Sequence, residues 1–159
     1  MIANTAIALL SGFLSVGSNE QGPITVESGG VVSNAKGFIG RFSHSTGEAM
    51  VSGSGSQWNN SSDLHVGEAG SGTLNVTDRG VVSNTTSYIG YYSLSTGQAT
   101  ISGSDSQWNN SGDLIVGRWN LANGTLSVES GGTVSNINGV IGQEPAATGV
   151  VTVNGSGSK

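Results

Sequence analysis

The feature that most constrains this chain is a repeat. Leu14-Ser-Val-Gly, Leu64-His-Val-Gly and Leu114-Ile-Val-Gly stand fifty residues apart. "GVVSN" occurs at Gly30 and Gly80 and "GTVSN" at Gly132, and "STGEAMVSG" from Ser45 matches "STGQATISG" from Ser95. The third copy carries two extra residues in "RWNLANG", and every later landmark shifts by the same two. An insertion confined to one place is what a surface loop tolerates. Self-similarity at a fixed period of this size is the mark of a solenoid or array, in which one unit cannot bury its apolar face alone.

The unit divides again into steps of about 25 residues. Gly22 leads Ile24 and Val26, and the same glycine-led alternation starts at Gly47, Gly72, Gly97, Gly124 and Gly149. A β-branched residue precedes glycine at Val16, Ile39, Val66, Ile89, Val116 and Ile141. Asparagines recur at Asn34, Asn60, Asn84, Asn110 and Asn136, each two residues after Val32, Trp58, Val82, Trp108 or Val134. Alternation of apolar and polar residues gives short strands with one buried face. The spacing predicts an all-β, single-stranded parallel β-helix with three short strands per rung and about six rungs. Stacked at about 4.8 Å per rung, these make a rod about 30 Å long.

Stacking sets equivalent residues above one another. Ile24, Ala49, Leu74, Ala99, Leu126 and Val151 become a core column of alternating large and small residues. Trp58 and Trp108 alternate with valines and are expected to fill the space left by Ala49 and Ala99. Asn34, Asn60, Asn84, Asn110 and Asn136 are expected to form an inward ladder whose amides hydrogen-bond to the next amide and to turn backbone. Counting back fifty from Trp58 reaches Ala8. The apolar run Ile7 to Leu10 therefore fits a degenerate rung or cap over residues 1–13, and it lacks the basic residues of a signal peptide. Residues 14–63, 64–113 and 114–159 are the three copies. The last, ending "NGSGSK" where "SGSGSQW" and "SGSDSQW" go on into tryptophan, is expected to be truncated, as in a fragment of a longer protein.

Composition narrows the function. The 27 glycines and 9% charged residues would suit a linker, but linkers do not keep valine and isoleucine in register. A net charge of −5, with five basic residues scattered along the chain, argues against a nucleic-acid partner. There is no cysteine, so disulfides and thiolate metal sites are excluded, and no cofactor or metal motif is present.

The phrase "GSxSxWNNSxDLxVGxxGxGTLxVxxGGxVSN", followed by "xIG" and "STGxAxVSG", resembles the repeat of autotransporter passengers and of PEP-CTERM-associated surface proteins. The resemblance covers Leu14 to Ser158. It is specific for architecture and weak for activity. It implies a right-handed coil and a bacterial secreted or outer-membrane-tethered, adhesin-like passenger. A complete protein of that kind is expected to carry a signal peptide and a C-terminal translocator β-barrel beyond its repeats.

Chemistry was sought against that background. Asp63 and Asp113 share a column, but as turn residues leading into Leu64 and Leu114 they are expected to bond their own backbone. His44 and His65 differ between copies and read as solvated surface histidines. "SGSGS" lacks the lysine of a phosphate loop and the aspartates of a calcium roll. Tyr88, Tyr91 and Tyr92, with Trp119 in the inserted loop, are the candidate ligand contacts, because exposed aromatics on a polar rod suit sugar rings or a host protein. The expected function is a non-catalytic stalk segment of a surface passenger. The alternatives are a carbohydrate- or host-protein-binding module and a β-helical polysaccharide lyase or hydrolase, which would need acids converging on one face.

Overall fold

The computed structural model describes residues 7–9 and 11–159 as an all-β parallel coil. Part of the cap expected over residues 1–13 therefore lies outside the described residues. Among the described residues, eighteen strands form three six-stranded parallel sheets, and each turn of the coil contributes one strand to each sheet.

The tryptophan sheet contains β1 (Ile7–Leu9), β4 (Val31–Asn34), β7 (Gln57–Asn60), β10 (Val81–Asn84), β13 (Gln107–Asn110) and β16 (Thr133–Ser135). A second sheet contains β2 (Phe13–Val16), β5 (Lys36–Ile39), β8 (Leu64–Val66), β11 (Ser87–Ile89), β14 (Leu114–Val116) and β17 (Gly139–Ile141). The long sheet contains β3 (Gln21–Glu27), β6 (Thr46–Ser52), β9 (Ser71–Thr77), β12 (Thr96–Ser102), β15 (Asn123–Glu129) and β18 (Thr148–Asn154).

The register is the one the repeat implies. Ile24, Ala49, Leu74, Ala99, Leu126 and Val151 pair in sequence across the long sheet. Val32, Trp58, Val82, Trp108 and Val134 do the same across the tryptophan sheet, and Ala8 pairs with Val32 below them. The core is one continuous apolar column that runs through all three sheets. At its far end β16, β17 and β18 have a neighbour on one side only, and Ile141 and Val153 are exposed.

Both tryptophans are fully buried, and their polar ends are tied down. Trp58 Nε1 donates to Asn34 Oδ1 at 2.7 Å, and Trp108 Nε1 donates to Asn84 Oδ1 at 2.8 Å. Space for the Trp58 indole is left at Gly37, where a Cβ would sit 3.1 Å from Trp58 Cζ2.

The asparagine column bonds both to neighbouring amides and to backbone. Asn34 Nδ2 donates to Asn60 Oδ1 at 2.7 Å, and Asn84 Nδ2 donates to Asn110 Oδ1 at 2.8 Å. Between the pairs the ladder breaks. Asn60 Nδ2 turns to the Ser83 carbonyl at 3.4 Å, while Asn84 Oδ1 accepts from the Trp108 indole. Asn110 Nδ2 likewise donates to the Ser135 carbonyl at 3.0 Å, and Asn136 is exposed in the last rung. The amide–amide bonds thus join rungs in twos, which gives the core the fifty-residue period of the sequence.

The serine that closes "SGSGS" has its own task. Ser56, Ser106 and Ser158 accept, through Oγ, the backbone N–H of Gly29, Arg79 and Gly131 in the turn one rung earlier, at 3.0 to 3.1 Å. Buried hydroxyls at this corner satisfy donors that the sharp turn leaves without a strand partner.

Candidate functional site

The second sheet faces outward with a column that runs Ser15, Phe38, His65, Tyr88, Ile115 and Val140. Alternation explains it: Val16, Ile39, Val66, Ile89 and Val116 point into the core, so the residues before them point out. The turns that follow stack as well. The backbone N–H groups of Arg41, Glu68, Tyr91, Arg118 and Gln143 each bond the glycine carbonyl one rung earlier, at 2.9 to 3.2 Å. The residues that follow in each turn (Phe42, Ala69, Tyr92, Trp119 and Glu144) make a parallel outer column.

Together these columns build a ridge of aromatic rings and guanidinium groups. Tyr88 and Tyr91 lie 4.8 Å apart edge to face, and Tyr91 and Tyr92 lie 4.6 Å apart in the same manner. The Arg118 guanidinium sits 5.0, 4.6 and 5.2 Å from the rings of Tyr88, Tyr91 and Trp119. Three of the four candidate contacts named from the sequence, Tyr88, Tyr91 and Trp119, therefore meet around one arginine, and Tyr92 joins them through Tyr91. Arg41 makes an equivalent cluster nearer the start of the coil, 4.4 Å from both Phe13 and Phe38 and 5.1 Å from Phe42. Cation–π pairs at such distances are worth about 0.5–1 kcal/mol each at exposed sites. Tyr92 and Trp119 are 49% and 41% exposed, so the ridge offers ring faces to solvent.

His65 overturns an expectation. It is only 2% exposed, not solvated, because Phe38, Tyr88 and Tyr91 stack on it at centroid distances of 5.2, 4.7 and 4.6 Å. Neither ring nitrogen has a hydrogen-bond partner among the described residues. Burial, helped by the positive charges of Lys36, Arg118 and Arg41, pushes its pKa down to about 3. The imidazole is therefore neutral at pH 7, and the 4.0 Å approach of Glu68 Oε1 to Nδ1 is not an ion pair. Burial pushes the Glu68 carboxyl upward, opposed by Arg41 at 3.7 Å and by Lys36. Tyr88 is also raised by burial, with Arg118 opposing. His44 is exposed, at a turn with φ of 67°.

A pH dependence follows for stability. The unfolded chain takes up a proton on His65 below its ordinary pKa of 6.5, and the folded chain does so only near 3. Stability is thus lost as pH falls through this window, at about 1.4 kcal/mol per pH unit. Glu68, with its raised value, works in the opposite sense at the lower end of the window. Chemical denaturation at pH 7 and pH 5 should show a loss of about 2 kcal/mol from His65. His65→Ile, which copies Ile115 in the same column, should remove that loss; an unchanged slope would show that His65 titrates freely.

The acids do not sit as expected from turn chemistry. Asp63 reaches sideways to neighbouring rungs, 3.3 Å from Lys36 Nζ and 3.4 Å from Thr85 Oγ1. Asp113 Oδ1 accepts from Asn138 Nδ2 at 2.7 Å. Cross-rung bonding wins because stacked strands bring these partners within reach, as a single turn does not. Among the described residues, no three or more His, Cys, Asp or Glu side chains gather as a metal site would require.

Sequence reasoning missed Arg41, Arg118 and His65 as members of the ridge. The signal was present in the columns, because His65 stands between Phe38 and Tyr88 in the register. Comparison with protein-family models, with curated proteins and with solved structures finds no match to this chain.

Proposed function

We propose that this chain is a non-catalytic, rod-forming segment of a bacterial surface passenger of the adhesin type. Its work is mechanical: it holds binding surfaces away from the outer membrane to which the full-length protein is tethered. The observation that supports this reading most is the uninterrupted register of six rungs in three sheets. Paired rungs locked by Trp–Asn bonds form a stiff unit that adds length without changing cross-section. Asp63 and Asp113, by contrast, are engaged in cross-rung bonds to Lys36, Thr85 and Asn138.

A test is to display the segment between an outer-membrane anchor and a reporter epitope. Duplicating residues 64–113 should move the epitope outward by about 10 Å, two rungs at strand spacing. An epitope whose height does not change with the number of repeats would overturn the stalk reading. A lyase or hydrolase would instead release new chain ends from a polysaccharide panel, in a manner lost in Asp113→Ala.

A second reading is favoured by the ridge. Exposed rings of Tyr92 and Trp119 beside Arg118 suit a carbohydrate- or host-protein-binding surface carried on the rod. The two readings are compatible, since a stalk segment can carry its own contact face.

A further inference from the structure

The two arginine clusters of the ridge differ in one respect that selects a ligand. Arg41 is followed in its turn column by Glu68, one rung on, and the two pair at 3.7 Å. Arg118 stands three rungs further along the same turn column and is followed by Gln143, which carries no charge. Lys36, Arg41 and Arg79 each have a carboxylate within 4.0 Å; Arg118 has none among the described residues. Its guanidinium presents five N–H donors in a planar fork, is partly exposed, and is held by Tyr88, Tyr91 and Trp119 around it. A planar fork of this kind matches a carboxylate in bidentate fashion.

Beside it stand two exposed rings in one outer column, Tyr92 and Trp119 on consecutive rungs. Tyr92 and Trp119 thus project from turns one rung, about 4.8 Å, apart along the rod. They offer apolar faces to the C–H face of a pyranose ring while Arg118 faces its acidic substituent. The inserted loop that carries Trp119 belongs to the third copy alone, so this arrangement occurs once in the described rod.

From this we infer that the Arg118–Trp119–Tyr92 end of the ridge is a binding site for an acidic glycan, with Arg118 taking a sugar carboxylate. The inference rests on the reading of the ridge as a carbohydrate-binding surface. Glu144, next along the outer column, is the carboxylate that opposes such a ligand, and it lies more than 4.0 Å from the Arg118 nitrogens.

The test is calorimetric titration with hexagalacturonate, with its fully methyl-esterified form, and with dextran sulfate. The acid should bind, and the ester, which lacks only the charge, should bind at least about tenfold more weakly. Gln143→Glu reproduces the Arg41–Glu68 arrangement without removing any residue of the ridge. It should weaken acid binding by a similar factor and leave the ester unaffected. Arg118→Gln should do the same, Trp119→Ala should weaken both sugars, and Glu144→Gln should tighten the acid. Equal binding of acid and ester, or no response to Gln143→Glu and Arg118→Gln, would overturn the assignment while leaving a neutral-sugar surface intact. Dextran sulfate binding as tightly as the hexuronate would also overturn it, as a general response to polyanions. No binding of any sugar would remove the carbohydrate reading itself.

Discussion

Replacing Trp58 by alanine is expected to lower stability by about 3–5 kcal/mol, the range for deleting a fully buried aromatic side chain. Two effects add. The indole fills the space over Gly37 and meets Leu64, whose Cδ1 would lie 2.7 Å from a Cβ at Gly37, so its loss leaves a void in a core that cannot close without shifting strands. The Asn34 Oδ1 acceptor also loses its donor in a buried place. Leaving such a group unpaired costs about 1–3 kcal/mol. Trp58→Phe separates the two, since it keeps most of the volume and removes only the N–H. Urea denaturation should place it between wild type and Trp58→Ala. If Trp58→Phe matched wild type, the Trp–Asn bond would contribute nothing and the pairing of rungs would rest on packing alone. Trp108→Ala should cost a similar amount through Asn84.

Gly97→Ala should be as damaging for a different reason. A Cβ on Gly97 would stand 2.2 Å from the Val66 carbonyl oxygen and 2.4 Å from the Gly90 nitrogen. Those two atoms bond each other at 2.9 Å, so the methyl would fall on a hydrogen bond that ties two rungs together. Both obstacles are backbone and cannot turn aside as a side chain would. The expected loss is at least about 3 kcal/mol, the upper end for overpacking. Gly12→Ala is the control, because a Cβ there meets nothing within 4 Å. Similar urea midpoints for the two variants would show that the corner yields, and that these glycines serve turn geometry only.

That comparison marks what could be read from the residues. Both glycine series were visible, and both looked like turn punctuation. The structure divides them. Gly17, Gly40, Gly67, Gly90, Gly117 and Gly142 have φ between 64° and 74°, as turns demand. Gly47, Gly72, Gly97, Gly124 and Gly149 do not, and they are glycine because two rungs bring backbone against backbone at that corner. Periodicity reports that a position must be small, and only packing shows why. The core columns were fully legible, down to Ala8 opposite Val32, because a period-2 pattern and a fixed step leave one register.

The asparagines were legible as a column but not as pairs. Trp58 and Asn34 are 24 residues apart, and nothing local says that the indole N–H bonds the Asn34 oxygen. The candidate ligand contacts were half legible. The tyrosines and Trp119 stood out as exposed aromatics, whereas Arg118 was passed over as one of five scattered bases. His65 looked solvated because each copy has a different residue there. Its burial comes from its neighbours along the rod, which a comparison of copies does not weigh.

The structural unit is a pair of rungs, one with tryptophan and one without, and such pairs should be open to addition or removal. Deleting residues 64–113 joins Asp63 to Leu114 and preserves the alternation. Deleting residues 82–107 removes one rung and sets Trp108 directly above Trp58, whose partner Asn34 already holds the Asn60 amide. Urea denaturation combined with small-angle scattering of the two deletions tests the claim most directly. The two-rung deletion should unfold cooperatively as a rod shortened by about 10 Å, and the one-rung deletion should lose its ordered core. Equal stability of the two, or failure of the two-rung deletion alone, would contradict it.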